Sequence, residues 1–386
     1  MLKNIPAKTI LVILAIGTFI GFAIVGSFNA FMDYTSSNEF CSTTCHEMST
    51  VTEEYMTTPL YKNNHGFRVK CADCHVPKPL FAKLWRKVKA SREIYHKVMG
   101  TIDTPEKFEA KRIVLARNEW RRLKESDSRE CRSCHVYEAM TISTQPNDAR
   151  FWHPVAMDWG LDKDYSCIDC HKGFVHQLPD LKGEIKKAEE QFKTVLAADA
   201  LTGNTLIGGV LYATRVMELY SGVGADAEAL VIAKLVPGTP LTVLAREDGR
   251  FQVRVQGRKY QNNRQTLYKM GDQMVALALM LEEPLVSNGK VTQDSATGLT
   301  WRPAELEGWV SREGLVSRIA PLWDYGKALY QNECVSCHVV FSPSDFWATQ
   351  WENKIHDMQR KIDLTPEQTN VMLRYLQHHA KPQGEI

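Results

Sequence analysis

A mainly helical chain with one membrane-spanning N-terminal helix, a small β region and a separate helical C-terminal domain is what three features of this 386-residue sequence predict. The first is an uncharged run near the N-terminus. The second is helical periodicity on both sides of a strand-patterned middle. The third is ten cysteines, every one of them in a Cys-(x)n-Cys-His unit. Charged residues make up 24% and the formal net charge is +2. That balance excludes a polytopic membrane protein, a disordered chain and a polybasic nucleic-acid binder.

Residues Thr9 to Met32 form a run of 24 without a charge. At about 1.5 Å per helical residue this spans the roughly 30 Å of bilayer hydrocarbon. Lys3 and Lys8 precede the run and Asp33 and Glu39 follow it, so the N-terminus stays cytoplasmic and the bulk is exported to the periplasm. A cleaved signal would carry an apolar core of about 7–15 residues and a small-residue cleavage site. The longer run reads instead as an uncleaved inner-membrane anchor. Gly17 and Gly21 form a GxxxG, a motif of helix pairing and of homo-oligomers through the anchor, but glycine is common in membrane helices and chance accounts for it more readily.

The five cysteine units are Cys41-Ser-Thr-Thr-Cys45-His46, Cys71-Ala-Asp-Cys74-His75, Cys131-Arg-Ser-Cys134-His135, Cys167-Ile-Asp-Cys170-His171 and Cys334-Val-Ser-Cys337-His338. Four are strict CxxCH, of which about 0.01 would arise by chance in a chain of this composition. The spacing fits covalent haem. Two thiols add to the two vinyl groups on one edge of the macrocycle, and the next residue reaches the iron as an axial ligand. Zinc sites need no His after every second Cys. A thioredoxin-like CxxC would stand once in a βαβ pattern, and five vicinal disulfides would cross-link almost nothing. The expectation is five covalent haem c groups and no disulfides. The first unit has one residue more between its cysteines than the others.

The first two units start 30 residues apart and the third and fourth 36 apart. The second and fourth share C-x-D-C-H, and the first and third are followed by Met48 and Met140. A duplicated two-haem module, making a tetrahaem block, accounts for this order. The fifth unit stands alone. Between units two and three, Thr104-Pro105-Glu106 reads as an N-cap, Pro at N1 and an acidic first turn of a helix running to about Lys124. Residues 183–200 read as another helix. After about residue 205 the pattern alternates: Leu241 to Leu244 and Phe251 to Val255 flank Asp248-Gly249, a hairpin signal. This region resembles a small SH3-like barrel and serves as a spacer or docking module. From about Pro321 a small α monohaem cytochrome domain follows. Its last helix is capped at Thr365-Pro366-Glu367-Gln368, and Met372, Tyr375 and Leu376 form its core stripe.

Five of the 12 histidines sit in the motifs. Among the others, His153, His176 and His65 are candidate sixth ligands of the tetrahaem block, and Met358 or His356 of the isolated haem. His/Met ligation would raise that haem's potential. His378 and His379 read as tail residues.

At this point the motifs resemble a known family. Phe40-Cys41 through Met48, Cys71 to Pro77, Lys89-Ala-Ser-Arg-Glu93-Ile-Tyr95, Ile102 to Ala110, Asn118-Glu-Trp-Arg-Arg122 and Cys167-Ile-Asp-Cys170-His171-Lys-Gly, continuing to His176-Gln-Leu-Pro179, are similar to the NapC/NirT membrane quinol dehydrogenases. The added fifth haem resembles the pentahaem TorC/TorY branch. The resemblance implies that the first haem lies by the membrane, with Met48 replacing His46 on its iron. It also implies that Glu93, with Lys87 or Lys89, faces that haem at a menaquinol pocket; on residue type alone these charges read as a solvated helix face. Three features depart from the family pattern: the first motif has one residue more than the family's CxxCH, Leu60 stands where many members have His, and Lys111 stands where the nitrate-type branch has His.

The expected organisation is a cytoplasmic tail and anchor over 1–32, a tetrahaem domain over 33–182, a linker helix and β-rich domain over 183–320, and a monohaem domain over 321–386. The expected function is electron transfer with quinol dehydrogenase activity. Menaquinol from the quinone pool would reduce the haems in anaerobic respiration, and the fifth haem would reduce a periplasmic molybdenum-cofactor reductase of N- or S-oxides. The rivals are a terminal haem reductase and a haem-based sensor or docking protein. No nucleic-acid partner is expected.

Overall fold

The computed structural model describes residues 6–44, 48–159, 166–199, 207–223, 230–260, 265–269, 274–281, 289–293, 298–336, 338 and 340–382. The chain divides into two compact units, residues 1–179 and 180–386.

The first unit is helical. Helix α1 (Ala7–Tyr34) contains the uncharged run, and nearly all of its side chains are exposed. It is the one helix among the described residues long and apolar enough to cross a membrane. After it the chain turns at once into a π-helical turn, Phe40–Thr44, and then into α2 (Ser49–Met56). The short α3 (Cys71–His75) and the long α4 (Leu80–Val98) follow. In α5 (Pro105–Glu125), Thr104 Oγ1 accepts from the Lys107 N–H at 3.3 Å, the cap expected from the Thr-Pro-Glu run. Three further helices complete the unit: α6 (Arg129–Arg132), α7 (Asn147–Trp159) and α8 (Cys167–Cys170). The buried apolar residues described here are few: Met32, Tyr55, Phe108, Ile113, Trp120, Leu123 and Ile168. Ion pairs also join its helices. Arg112, with its side chain 7% exposed, bonds Glu54 at 2.6 Å and Glu109 at 2.5 Å.

The second unit has two cores. Its strands are β1 (Val210–Ala213), β2 (Met217–Tyr220), β3 (Val231–Leu235), β4 (Pro240–Glu247), β5 (Arg250–Tyr260), β6 (Thr266–Tyr268), β7 (Ala276–Met280), β8 (Thr292–Gln293), β9 (Thr300–Ser311) and β10 (Leu315–Val316). Their pairing closes the ring β5-β6-β7-β3-β2-β9-β5, a β-barrel, with β4, β1 and β10 continuing beyond β5. The ring closes because β5 pairs with β9 along its whole length on one edge and with β4 and then β6 on the other. Alternating burial in β5 and β9 sends Phe251, Val253, Val255, Leu306 and Val310 inward, each 0–1% exposed. The Asp248-Gly249 signal is a two-residue hairpin loop with φ of 46° and 73°, the sign that a type I′ turn needs.

Around the second core pack α9 (Leu181–Ala198), α10 (Ala320–Glu333), α11 (Ala348–Met358) and α12 (Pro366–His378). Phe192 of α9 stacks on Tyr325 of α10 at 4.9 Å, so the helix that reads as a linker is part of this core. Met372 and Leu376 are fully buried and Tyr375 is 8% exposed. Thr365 caps α12 with Gln368 in a capping box, as its sequence pattern implies.

His378 differs from its reading as a tail residue. Its ring lies 4.7 Å from the Trp323 ring, and its Nε2 is buried without a hydrogen-bond partner. Burial, with Lys269, Arg374 and His379 around it, pushes its pKa down to about 3. The unfolded chain therefore takes up a proton near pH 6.5 that the folded chain refuses. Stability of this unit should fall as pH drops below about 6.5, by up to about 1.4 kcal/mol per pH unit. Hydrogen exchange in α12 peptides between pH 7 and 5 measures it. A His378→Phe variant should flatten the slope, and an unchanged slope would refute the assignment.

Candidate haem-binding and electron-entry site

The attachment motifs of the first unit have local structural causes. In α3 and α8 the third residue is Asp, and its carboxylate accepts from the N-cap N–H: Lys70 N to Asp73 Oδ2 at 2.7 Å, and Ser166 N to Asp169 Oδ2 at 2.7 Å. The shared C-x-D-C-H is therefore a helical turn held closed at its start, with both thiols on one short helix and the His at its exit. Asp169 is further fixed by Lys124 Nζ at 2.5 Å. The first unit is built differently. Its Cys41 lies in the π-helical turn, which has more residues per turn than an α-helix. That wider turn carries the extra residue of Cys41-Ser-Thr-Thr-Cys45. Cys45, His46 and Cys337 lie outside the described residues.

Motif three stands between motifs two and four. Cys131 lies beside Cys167, and Cys134 beside Cys74. Ser128 Oγ, at the start of α6, accepts from the Ile168 N–H of α8 at 3.1 Å. The three motifs thus form one contiguous row.

Two pairs of histidines face each other across this row. The rings of His75 and His176 have centroids 6.2 Å apart, and those of His171 and His153 lie 6.1 Å apart. Two imidazoles bound on opposite sides of one metal, each through a nitrogen about 2 Å from it, have ring centres roughly 6 Å apart. Both pairs therefore fit a six-coordinate iron. Two of the four rings have an acceptor on the other nitrogen: His75 Nδ1 is 2.8 Å from Glu119 Oε1 and His153 Nδ1 is 2.5 Å from Gln145 Oε1, while His176 Nδ1 lies 3.4 Å from Glu54 Oε2 without a hydrogen bond. Acceptors on Nδ1 leave Nε2 for a metal and orient the ring. Burial followed by the neighbouring His75 lowers the pKa of His176, and burial followed by His153 and His135 lowers that of His171. Both are kept in the neutral form that binds metal. Burial alone would raise Glu119, but hydrogen bonds from His75 and Arg122 bring it down to about 2, so it is an anion.

The remaining candidates are placed as follows. His135 is exposed and lies near enough to His171 to lower its pKa. Met48 is the N-cap residue of α2 and 40% exposed. His65 is exposed in the loop before α3, its backbone N–H bonded to Asn63 Oδ1 at 2.9 Å. His338 lies 5.7 Å, ring to ring, from Phe341. Met358 is the last residue of α11 and 42% exposed, on a helix end rather than in a loop.

On α4, Lys87 Nζ donates to Thr35 O at 2.7 Å and Thr35 Oγ1 at 2.6 Å, at the residue that ends α1. Burial followed by Lys83 lowers its pKa. Glu93 pairs with Arg86 at 3.2 Å and is mostly exposed, while Lys89 Nζ lies 5.6 Å from the Trp85 ring centre. The three charges thus reach three different partners. Lys87 is the one that joins the end of α1, a few residues before Cys41.

Glu54, Glu119, Gln145 and Arg112 are the site residues that sequence reasoning passed over. Glu119 had a signal, since it lies in the Asn118-Glu-Trp-Arg-Arg122 stretch. Glu54 and Gln145 had none, because their role depends on contacts with residues 122 and 8 positions away.

Comparison with known proteins settles the family. The NapC/NirT cytochrome c family, N-terminal region, matches residues 4–181; the TorC third cytochrome c domain matches 207–315; and dihaem cytochrome c matches 330–386. The cytochrome c-type protein TorC of Escherichia coli (strain K12) is 34% identical over 377 residues, covering 96% of this chain and 92% of that one. The chain belongs to the NapC/NirT cytochromes, in their TorC/TorY branch. The TorY protein of Haemophilus influenzae is 29% identical over 353 residues, 91% of each chain. NapC of Escherichia coli (strain K12) is 47% identical over 171 residues, 44% of this chain and 83% of its own. No solved structure matches. The chain is thus an electron-transport cytochrome with covalently bound haem c and one apolar N-terminal helix, in a membrane-anchored family. The segment that matches the TorC third domain contains neither Cys nor His, so it has no thiol to attach a haem; the segment that matches dihaem cytochrome c holds one CxxCH.

Proposed function

We propose that this protein oxidises menaquinol at the periplasmic edge of the inner membrane and passes the electrons through five haem c groups to a periplasmic molybdenum-cofactor reductase of N- or S-oxides. The tetrahaem domain over 33–182 receives electrons, the β region within 183–320, read as an SH3-like module, docks partners, and the single motif within 321–386 delivers them. When bound, the haems supply one-electron iron centres. The chain's residues do the rest. Cysteines 41, 45, 71, 74, 131, 134, 167, 170, 334 and 337 attach the groups. His75 with His176, and His171 with His153, would each hold one haem iron. His135 and His338, with Met48 or His46 in the first motif and Met358 in the last, serve the others, and His65 is a further candidate.

The observation that carries the quinol reading is Lys87 bonded to the end of α1. A quinol arriving along the anchor meets a lysine of lowered pKa, beside the first attachment motif. Oxidation releases two electrons and two protons; the electrons pass to the haems, and the protons leave through Glu93 with Lys87 and Lys89 beside it. A Lys87→Met variant should slow haem reduction by a menaquinol analogue at least about tenfold, equivalent to about 1.4 kcal/mol of barrier. Reduction by dithionite should be unaffected. Equal slowing by both donors would show a merely structural role, and unchanged quinol kinetics would reject Lys87.

A further inference from the structure

Helix α4 is amphipathic with its apolar side turned outward. Phe81, Trp85, Val88, Tyr95 and Met99 recur at spacings of three, four and seven, so they form one stripe along the helix. They are 86%, 61%, 60%, 62% and 61% exposed. The opposite side is mainly basic and is tied to the protein at two points, where Lys87 bonds Thr35 and Lys97 donates to Thr44 O, while Ile94 and Val98 beside them stay exposed. A water-facing helix would have the reverse arrangement. No residue of α4 is buried, although it is 19 residues long.

We infer that α4 lies along the bilayer surface with this stripe in the acyl boundary, making a second membrane contact beside the anchor. Three observations select the membrane as occupant. First, Lys87 ties α4 to Thr35, the C-cap of α1, so the helix starts its course where the apolar run leaves the bilayer. Second, the helix carries Lys83, Arg86, Lys87, Lys89, Arg92 and Lys97 against the single acid Glu93, a charge that suits anionic phosphate headgroups. Third, the stripe is led by Phe, Trp and Tyr, aromatic residues that suit the boundary between headgroups and acyl chains, while Arg92 stands within it between Val88 and Tyr95 and Lys89 stands at its side, both long enough to extend toward the phosphates. The inference rests on α1 being the anchor. It gives the quinol site a floor: a carrier diffusing in the bilayer meets α4 without leaving the acyl phase.

The test uses the full-length holoprotein in nanodiscs of phosphatidylethanolamine and phosphatidylglycerol. A photoreactive benzoylphenylalanine is placed singly at 81, 95, 22 or 152. Positions 81 and 95 are about 21 Å apart along the helix. Position 22 lies on α1, and Trp152 is an exposed aromatic of α7. The expected result is lipid adducts at both 81 and 95, at least about fivefold above 152, with position 22 also labelled. Arg92→Glu should lower the yield at 95. Labelling at 22 with 81 and 95 at the level of 152 overturns the inference while the anchor stands, and so does labelling at only one of the two, which means an upright helix. Cross-links from 81 or 95 to a second copy of the chain, in place of lipid, also overturn it. Failure at 22 as well removes the anchor and the inference together.

Discussion

Replacing His176 with alanine is expected to convert one low-spin haem of the purified protein to high spin, and replacing His153 to convert a different one. His176 faces His75 at 6.2 Å and His153 faces His171 at 6.1 Å, and the two pairs share no residue. Each substitution removes one strong nitrogen ligand from one iron and leaves the other pair intact, so the double variant should lose both signals additively. His96, exposed and paired with Thr101 at 3.3 Å, is the control and should change nothing. Electron paramagnetic resonance with optical spectra would read the outcome. A His176→Ala protein with all its low-spin signals intact would show that the facing rings do not share a metal.

Arg112→Met should be the most destabilising single change in the first unit. Arg112 and Glu54 are 7% and 8% exposed, and the guanidinium also holds Glu109 and the Gln177 carbonyl. Removing the cation leaves the Glu54 carboxylate buried without compensation, at a cost of about 3–5 kcal/mol. The same change frees Glu54 from its place beside His176 Nδ1 and the Gln177 carbonyl from its donor, so part of the His176-dependent low-spin signal should be lost with it. Adding Glu54→Gln should restore some stability, because the uncompensated charge is gone. Denaturant unfolding of the holoprotein measures both steps. A loss below about 1 kcal/mol would mean the pair is solvated in solution, as surface pairs are.

The features legible in the sequence are those that local chemistry writes. The CxxCH spacing announces covalent haem, Thr104-Pro105-Glu106 starts a helix, and Asp248-Gly249 turns a hairpin, because each depends on residues only a few positions apart. The axial partners depend on tertiary contact. His176 follows His171 by five residues, yet it faces His75, 101 positions earlier. The closure of the barrel was equally hidden, since it requires β5 to serve two edges at once. The outward direction of the apolar side of α4 is not written in the sequence, because periodicity gives no direction. Only its polar anchorage through Lys87 and Lys97 shows which side faces the protein.

The central claim is that this chain takes electrons from quinol and spreads them over five covalent haems. The most direct measurement is an anaerobic titration of the membrane-embedded holoprotein with a menaquinol analogue, counting haem iron reduced per chain against full reduction by dithionite. Five haems per chain are expected, with quinol reducing those of high enough potential through the first. A protein that dithionite reduces fully and quinol leaves oxidised would contradict it.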